Sequence, residues 1–233
     1  MGSVKQIKGK GRLLVLKRTE NRACYAGEGD PIYESDTLYT LADCRCRLEF
    51  TDQNVIVMAA RSHLDIDEVY ASLFQGVKRS RFKMNQGKAI FYALRLFRYR
   101  SMQFELKTPT ASIGVRGTKF GTEIEEGVPG SSQNVLTRVY VLEGEIDVTS
   151  LIDGRIQRLQ ENEILEADRR GLGSVVLDLE KTRSFQGDVL SGIAETPDPE
   201  PRILRDEFRR EELDRMNRMD DIRQRQMETP IHE

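Results

Sequence analysis

Short runs of alternating apolar and polar residues recur along most of this chain, with turn-forming residues between them. The run from Arg45 to Phe50 alternates strictly, and a turn at Thr51 to Asn54 separates it from the apolar run Val55 to Met58. Strands at intervals of about ten residues, separated by Gly, Asp and Asn, are typical of all-β folds. We therefore predict an all-β domain of many short strands, built as a sandwich, a barrel or a short β-solenoid. The pattern does not choose among these three.

The stretch from Thr108 to Phe120, TPTASIGVRGTKF, contains one proline and two closely spaced glycines, which constrain its backbone. Pro109 lacks a backbone N–H and fits a strand start or edge. Gly114 and Gly117 predict a tight turn around Arg116. At such a turn Arg116 either presents its guanidinium to a carboxylate or phosphate ligand, or pairs with an acidic neighbour and stabilises the corner. The segment is therefore expected to form a strand, a sharp turn and a second strand.

This stretch resembles the signature of the FecR domain, which is found in bacterial periplasmic regulators of iron uptake. Further matches to the family lie at Leu48 to Asp52 and at Val141 to Glu145, and the resemblance spans about Gly9 to Ala167. It implies an all-β extracytoplasmic domain that signals through protein contacts, and it brings no catalytic residues. The signature residues carried over, with a structural or a binding role, are Thr108, Pro109, Gly114, Arg116, Gly117, Thr118 and Phe120.

The composition changes in the last quarter of the chain. Thr196 to Pro201 is a Pro-rich, acidic segment of the kind that forms stiff linkers. Arg202 to Met227 is dense in charged residues and contains no Gly or Pro, which favours a helix. We predict a FecR-like β domain over residues 10–185, a Pro-rich linker over 186–201, and a charged C-terminal helix or tail over 202–233.

The location of the protein follows from the resemblance and not from a targeting signal. No window of about 18 apolar residues is present, so no transmembrane helix is predicted, and the opening lacks the apolar core of a signal peptide. By itself this would keep the chain in the cytoplasm. The resemblance places it in the periplasm, and an opening of Met1-Gly2-Ser3 is compatible with removal of an export signal.

A basic stretch lies between Val77 and Gln103, with eight basic residues, no acidic one, and interleaved aromatic residues. This composition is typical of polyanion binding. On strands, however, the aromatic side chains would be core and the cations their solvated opposite face. The net charge of −2 gives no general attraction to nucleic acid, which is not an expected partner. An anionic glycan, a lipid headgroup or an acidic partner remain as alternatives to the solvated face. The candidate patch comprises Arg95, Arg98 and Arg100.

The cysteines allow two interpretations. Cys44 and Cys46 share one face of a strand, so Cys24 would form a disulfide with one of them if its strand were adjacent, leaving one thiol over. The alternative is three buried, reduced cysteines. A zinc site is not expected, because one C-x-C pair with His63 and His232 supplies too few well-spaced ligands. We expect neither a metal nor another cofactor.

Catalysis is not expected either. His63 shares a strand face with Asp65 and Asp67, but no nucleophile-elbow sequence accompanies it. The spacing of Gly114, Gly117 and Gly121 matches neither a dinucleotide fingerprint nor a phosphate loop. The chain is therefore expected not to be an enzyme.

These observations lead to one functional prediction and two alternatives. The prediction is a non-enzymatic extracytoplasmic binding and signalling module that acts through protein or other envelope contacts, without the sigma-factor-binding segment and membrane span of the iron-uptake regulators. The first alternative is an envelope structural module that binds an anionic glycan or polymer through the basic strand patch. The second is a cytoplasmic binding protein.

Overall fold

The computed structural model describes residues 1–93, 99–115, 117–125 and 135–193. The described residues form eighteen β-strands and one helix, which confirms the all-β class. The elements are β1 (Gly2–Lys8), β2 (Leu13–Lys17), β3 (Arg22–Ala26), β4 (Pro31–Ile32), β5 (Asp36–Thr40), β6 (Arg45–Phe50), β7 (Val55–Met58), β8 (His63–Ser72), β9 (Val77–Ala93), β10 (Ser101–Lys107), β11 (Ala111–Val115), β12 (Thr118–Glu125), β13 (Leu136–Glu143), β14 (Glu145–Ser150), β15 (Ile156–Gln160), β16 (Glu163–Asp168), β17 (Gly171–Leu172), β18 (Val176–Leu177) and α1 (Leu179–Leu190).

The strands form two sheets that share β9. Sheet I has the order β4-β1-β6-β7-β9-β12-β13-β16, and both β17 and β18 pair with β16. Sheet II has the order β3-β2-β5-β8-β9-β10-β11-β14-β15. Among the described strands, the pairing of β9 with β10 is parallel and the others are antiparallel.

Strand β9 belongs to both sheets because the chain crosses between them at Gly87. Its first part, Val77 to Gln86, pairs with β8 in sheet II, and its second part, Gly87 to Ala93, pairs with β12 in sheet I. Gly87 has a φ of +88°, and a Cβ atom there would lie 2.6 Å from the Cα atom of Ser62. Glycine alone meets both requirements without strain.

The core lies between the two sheets and is built around phenylalanine rings. Phe91 and Phe120 of sheet I stack with ring centroids 5.1 Å apart, and Phe104 of sheet II meets Phe120 edge-on at 5.9 Å. Each of these buried rings stabilises the fold by about 1.5–3 kcal/mol. Because the rings come from facing sheets, the architecture is a sandwich among the three alternatives that the sequence left open.

The structure confirms several strand predictions and corrects others. Strands β6 and β7 form the expected hairpin, and Gly144, with a φ of +85°, separates β13 from β14 where the apolar parity changes. The apolar pattern from Ile32 to Leu41 suggests one strand, but a turn divides this segment into β4 and β5. The sequence pattern does not predict β1. This strand has little apolar alternation, because Val4 is the one apolar side chain of β1 that is completely buried.

Helix α1 follows β18 and packs on the outer face of sheet I, where the sequence pattern does not indicate a helix. The side chain of its N-cap, Asp178, accepts a hydrogen bond from the backbone N–H of Lys181 at 2.9 Å. Phe185 and Val189 are buried against the sheet. The predicted linker, residues 186–201, therefore overlaps the last turn of α1. The predicted C-terminal helix or tail, residues 202–233, lies outside the described residues.

Candidate functional site

The signature stretch forms a β corner, with one difference from the prediction. Gly117 has a φ of +77° and lies at the corner between β11 and β12. Gly114 is instead a residue of β11, with open space where a Cβ atom would be. Pro109 is exposed in the turn between β10 and β11. Arg116 lies outside the described residues.

The remaining signature residues are buried and make contacts within the fold. Thr118 Oγ1 donates a hydrogen bond to the carbonyl of Glu145 at 2.7 Å and so joins the corner to β14. Thr108 Oγ1 accepts a hydrogen bond from the backbone N–H of Ala111 at 3.0 Å, which closes the turn before β11. Phe120 is fully buried in the core. Thr118 therefore contributes to the corner, Thr108 to the turn before β11, and Phe120 to the core.

Replacing Gly117 by valine is expected to lower the free energy of unfolding by about 2 kcal/mol or more, because a β-branched residue does not readily adopt a positive φ. Gly117→Asn is the matched control, since asparagine tolerates this region better and should lose much less. Thermal and urea unfolding followed by circular dichroism measure both variants. Equal stability of Gly117→Val and the unmodified protein would show that Gly117 is not the hinge of the corner.

The basic stretch does not form one continuous solvated face. Lys78 is buried and donates a hydrogen bond to Asn54 Oδ1 at 2.8 Å, which corrects the expectation of a solvated cation. Arg79 and Arg81 are exposed on the opposite face of β9, and both contact the carboxylate of Glu68. The predicted patch comprised Arg95, Arg98 and Arg100. The last of these is exposed, and the other two lie outside the described residues.

All three cysteines are free thiols in the structure. Cys44 and Cys46 are buried, whereas Cys24 is partly exposed on β3 in the other sheet. Burial raises the pKa of the Cys44 thiol and, more strongly, that of Cys46. Because the thiolate is the reactive form, the two buried thiols are expected to be unreactive at neutral pH.

His63 and Asp65 share one face of β8, as expected, and they belong to a hydrogen-bonded cluster. Asp65 accepts hydrogen bonds from Thr37 Oγ1 at 2.6 Å, Arg18 Nη2 at 2.9 Å and Asn85 Nδ2 at 3.0 Å. Burial alone raises the pKa of Asp65, but these hydrogen bonds and nearby positive charges outweigh it and lower the pKa. Within the described ranges, no group of three His, Cys, Asp or Glu residues could hold a metal ion.

A groove of about 640 Å³ lies beside α1, and the charges that line it are largely paired. Lys88 Nζ contacts Glu123 Oε1 at 3.0 Å and Asp188 Oδ2 at 2.9 Å. Burial by itself raises the pKa of Glu123, but hydrogen bonds from Lys88 and Tyr140 lower it further than burial raises it. These contacts join α1 to β9 and β12. The paired charges in the groove therefore help to hold the helix on sheet I.

The outer edge of sheet II at β15 is the clearest surface for a partner. Among the described residues, β15 pairs with β14, and no strand pairs with its other side. Ile156 is 68% exposed, and Leu151 and Ile152 in the preceding turn are about half exposed. We call these three residues the edge patch. The Asp153-Gly154 turn predicts the hairpin, but alternation does not reveal that its apolar residues face solvent.

The backbone of β15 also presents hydrogen-bonding groups to this outer side. Gln160 donates its N–H to Glu163 Oε2 at 2.7 Å and not to β14. Amides alternate in direction along a strand, so the N–H groups of Ile156 and Arg158 face the same outer side. The edge of β15 therefore combines outward backbone donors with exposed apolar side chains.

These features define a β-sandwich in which the described signature residues lie at a corner, in adjoining strands and turns, and in the core, and whose prominent surfaces are strand edges and turns. Residues 36–147 match the family model described as FecR protein, as the signature indicates. No helix in the described ranges is long and apolar enough to cross a membrane.

Two crystal structures of a candidate anti-sigma factor from Parabacteroides distasonis ATCC 8503 are similar to this chain, at 18% and 17% identity and a TM-score of 0.45 each. Each comparison covers 60% of this chain and 57% of the other. The chain thus matches a little more than half of the length of those structures. A comparison with curated proteins gives no significant match.

Proposed function

We propose that this protein is a non-enzymatic regulatory module of the bacterial cell envelope, located in the periplasm, that receives a protein partner at the edge of β15. The FecR domain supports the regulatory class and the extracytoplasmic location. The observation that carries the binding mode is the open edge of β15 beside the edge patch.

An extended segment of a partner can add to this edge as a further strand. Main-chain hydrogen bonds to the outward N–H groups of Ile156 and Arg158 would give affinity, and side chains that pack on the edge patch would give specificity. Natural proteins usually protect edges with charged residues or proline. On β15 the charged residue is Arg158, and it is paired with Asp147 on the neighbouring strand at 2.8 Å. Its side chain therefore does not cover Ile156, which stays exposed.

The test is a comparison of full-length variants as bait in an envelope extract. Ile156→Asp is expected to abolish capture of the partner, because it places a charge in the apolar contact. Arg158→Pro is expected to weaken capture, because it removes one outward donor without removing a bond to β14. Melting temperatures of both variants establish that the fold is retained.

Tyr25→Asp is the matched control, since Tyr25 is 56% exposed on β3, the opposite edge strand of sheet II. It should capture the same proteins as the unmodified chain. Capture that survives Ile156→Asp would remove β15 from the mechanism. A further variant without residues 202–233 is expected to retain the partner, and loss of every partner in that variant alone would place binding in the tail.

A further inference from the structure

The hairpin that joins β8 to β9 ends in an apolar tip. Phe74 is 100% exposed and Leu73 is 60% exposed. Two large apolar side chains at the end of one turn form a contiguous exposed hydrophobic surface, and such surfaces often mark interaction sites. The tip lies on a different hairpin from the edge patch, and partner binding at β15 does not involve it.

Hydrogen bonds hold the tip in a defined conformation. Gly76, with a φ of +65°, donates its N–H to the carbonyl of Leu73 at 3.2 Å, and its own carbonyl accepts from the N–H of Arg100 at 2.8 Å. Across the turn, Tyr70 Oη donates to Gln75 Oε1 at 2.8 Å. The apolar side chains are therefore presented on a braced turn.

The tip also extends past the strands on either side of it. Strand β5 pairs with β8 at His63 to Asp65, well before the turn. On the other side, β10 pairs with β9, and β11 pairs with β10. Strand β11 ends at Val115, which lies opposite Phe104 of β10, and Phe104 lies opposite Ser80 of β9. Val77 lies about 10 Å beyond Ser80 along the strand, at about 3.3 Å per residue. Between Ser80 and Val77, β10 is the one described strand that pairs with the outer side of the hairpin.

Basic side chains lie beside the tip. The sequence contains no acidic residue between Val69 and Phe104. Arg79 and Arg100 lie close to the turn with exposed side chains, and the side chain of Arg100 lies against Gly76. The acidic residue on β8 that faces these cations is Glu68, about 13 Å back from the end of the strand, and it contacts Arg79 at 3.4 Å.

We propose that this tip binds the surface of an anionic lipid bilayer. Phe74 and Leu73 would enter the boundary between headgroups and acyl chains, while Arg79 and Arg100 would contact lipid phosphates. Two side chains are too few for a stable protein interface, which buries about 800 Å² per partner. Membrane-surface binding, in contrast, adds modest apolar burial to electrostatic attraction, and the tip offers both.

The absence of tryptophan from the chain permits a direct test. Full-length Phe74→Trp carries one tryptophan at the tip, and Leu177→Trp carries one at β18, where Leu177 is 74% exposed. With vesicles of phosphatidylcholine and phosphatidylglycerol, the emission of the tip variant should shift to the blue and be quenched by brominated acyl chains. The β18 variant should show neither change. Unshifted emission from both variants would overturn the proposal.

Vesicle co-sedimentation gives the second measurement. Phe74→Asp is expected to weaken binding to the mixed vesicles by about tenfold or more, and Leu177→Asp should bind as the unmodified chain does. Binding should fall as salt rises and should be weaker on phosphatidylcholine alone. Equal binding by Phe74→Asp and the unmodified chain would refute insertion of the tip, and equal binding to both vesicle types would refute the role of the cations. Capture of partners through β15 is measured separately and does not depend on either result.

Discussion

Substitution of Gly87 by valine is expected to lower the free energy of unfolding by about 3 kcal/mol or more. Valine would have to adopt a φ of +88°, and its Cβ atom would lie 2.6 Å from Ser62 Cα and 2.7 Å from the carbonyl oxygen of Arg61. Both contacts are with backbone, so rotation of a side chain does not relieve them. Because Gly87 is the point at which β9 leaves sheet II for sheet I, the strain acts on both sheets. Urea unfolding followed by circular dichroism measures the effect.

Gly114→Val is the matched control for this substitution. Gly114 also lies in a strand, but its φ is not positive and nothing lies within 4 Å of the position of a Cβ atom. Valine favours strands, so the stability should change by no more than about 1 kcal/mol. If Gly87→Val and Gly114→Val had similar effects, the passage of β9 between the two sheets would not require glycine at this position.

Replacing Phe185 by alanine is expected to cost about 3 kcal/mol or more and to release α1 from sheet I. Phe185 is 5% exposed and stacks on Tyr140, with ring centroids 4.1 Å apart. Its ring also fills the space above Gly121, where a Cβ atom would lie 2.1 Å from Phe185 Cε1. Loss of the near-ultraviolet dichroism of Tyr140, with far-ultraviolet β signal retained, would report release of the helix from an intact sandwich.

A double-mutant cycle separates this contact from general destabilisation. Gly121→Ala alone should be destabilising, because the new methyl group displaces the Phe185 ring. In a Phe185→Ala background the same change should cost little, since the obstructing ring is gone, and the two effects should not add. Additive effects would mean that Gly121 and Phe185 act independently and that the close approach does not position α1.

Local patterns in the sequence identify the elements that depend on neighbouring residues in the chain. The β6–β7 hairpin, the corner at Gly117 and the change of parity at Gly144 all follow from alternation or from a need for positive φ, which are properties of a few consecutive residues. The same reasoning misplaces Gly114, because a glycine that packs well in a strand and one that forms a turn look alike in a sequence. The resemblance to the FecR family is recognisable for the same local reason, since it rests on a few short stretches of sequence.

The docking of α1 illustrates what local patterns do not contain. No residue near Phe185 indicates that Gly121 leaves room for its ring, because the two residues are brought together by the packing of α1 on β12. The binding surfaces have the same origin. Ile156 and Phe74 look like ordinary apolar residues of strands and turns, and their exposure depends on which strands lie beside them.

Local backbone preference and side-chain alternation thus establish the all-β class, the main hairpins and the family signature, because each acts over a few residues. Tertiary structure decides the rest: the sandwich architecture, the passage of β9 between sheets, the burial of Lys78, and which strand edges are exposed. Burial is a property of contacts between residues far apart in the chain, and the same strand pattern is compatible with a sandwich, a barrel or a solenoid until those contacts form.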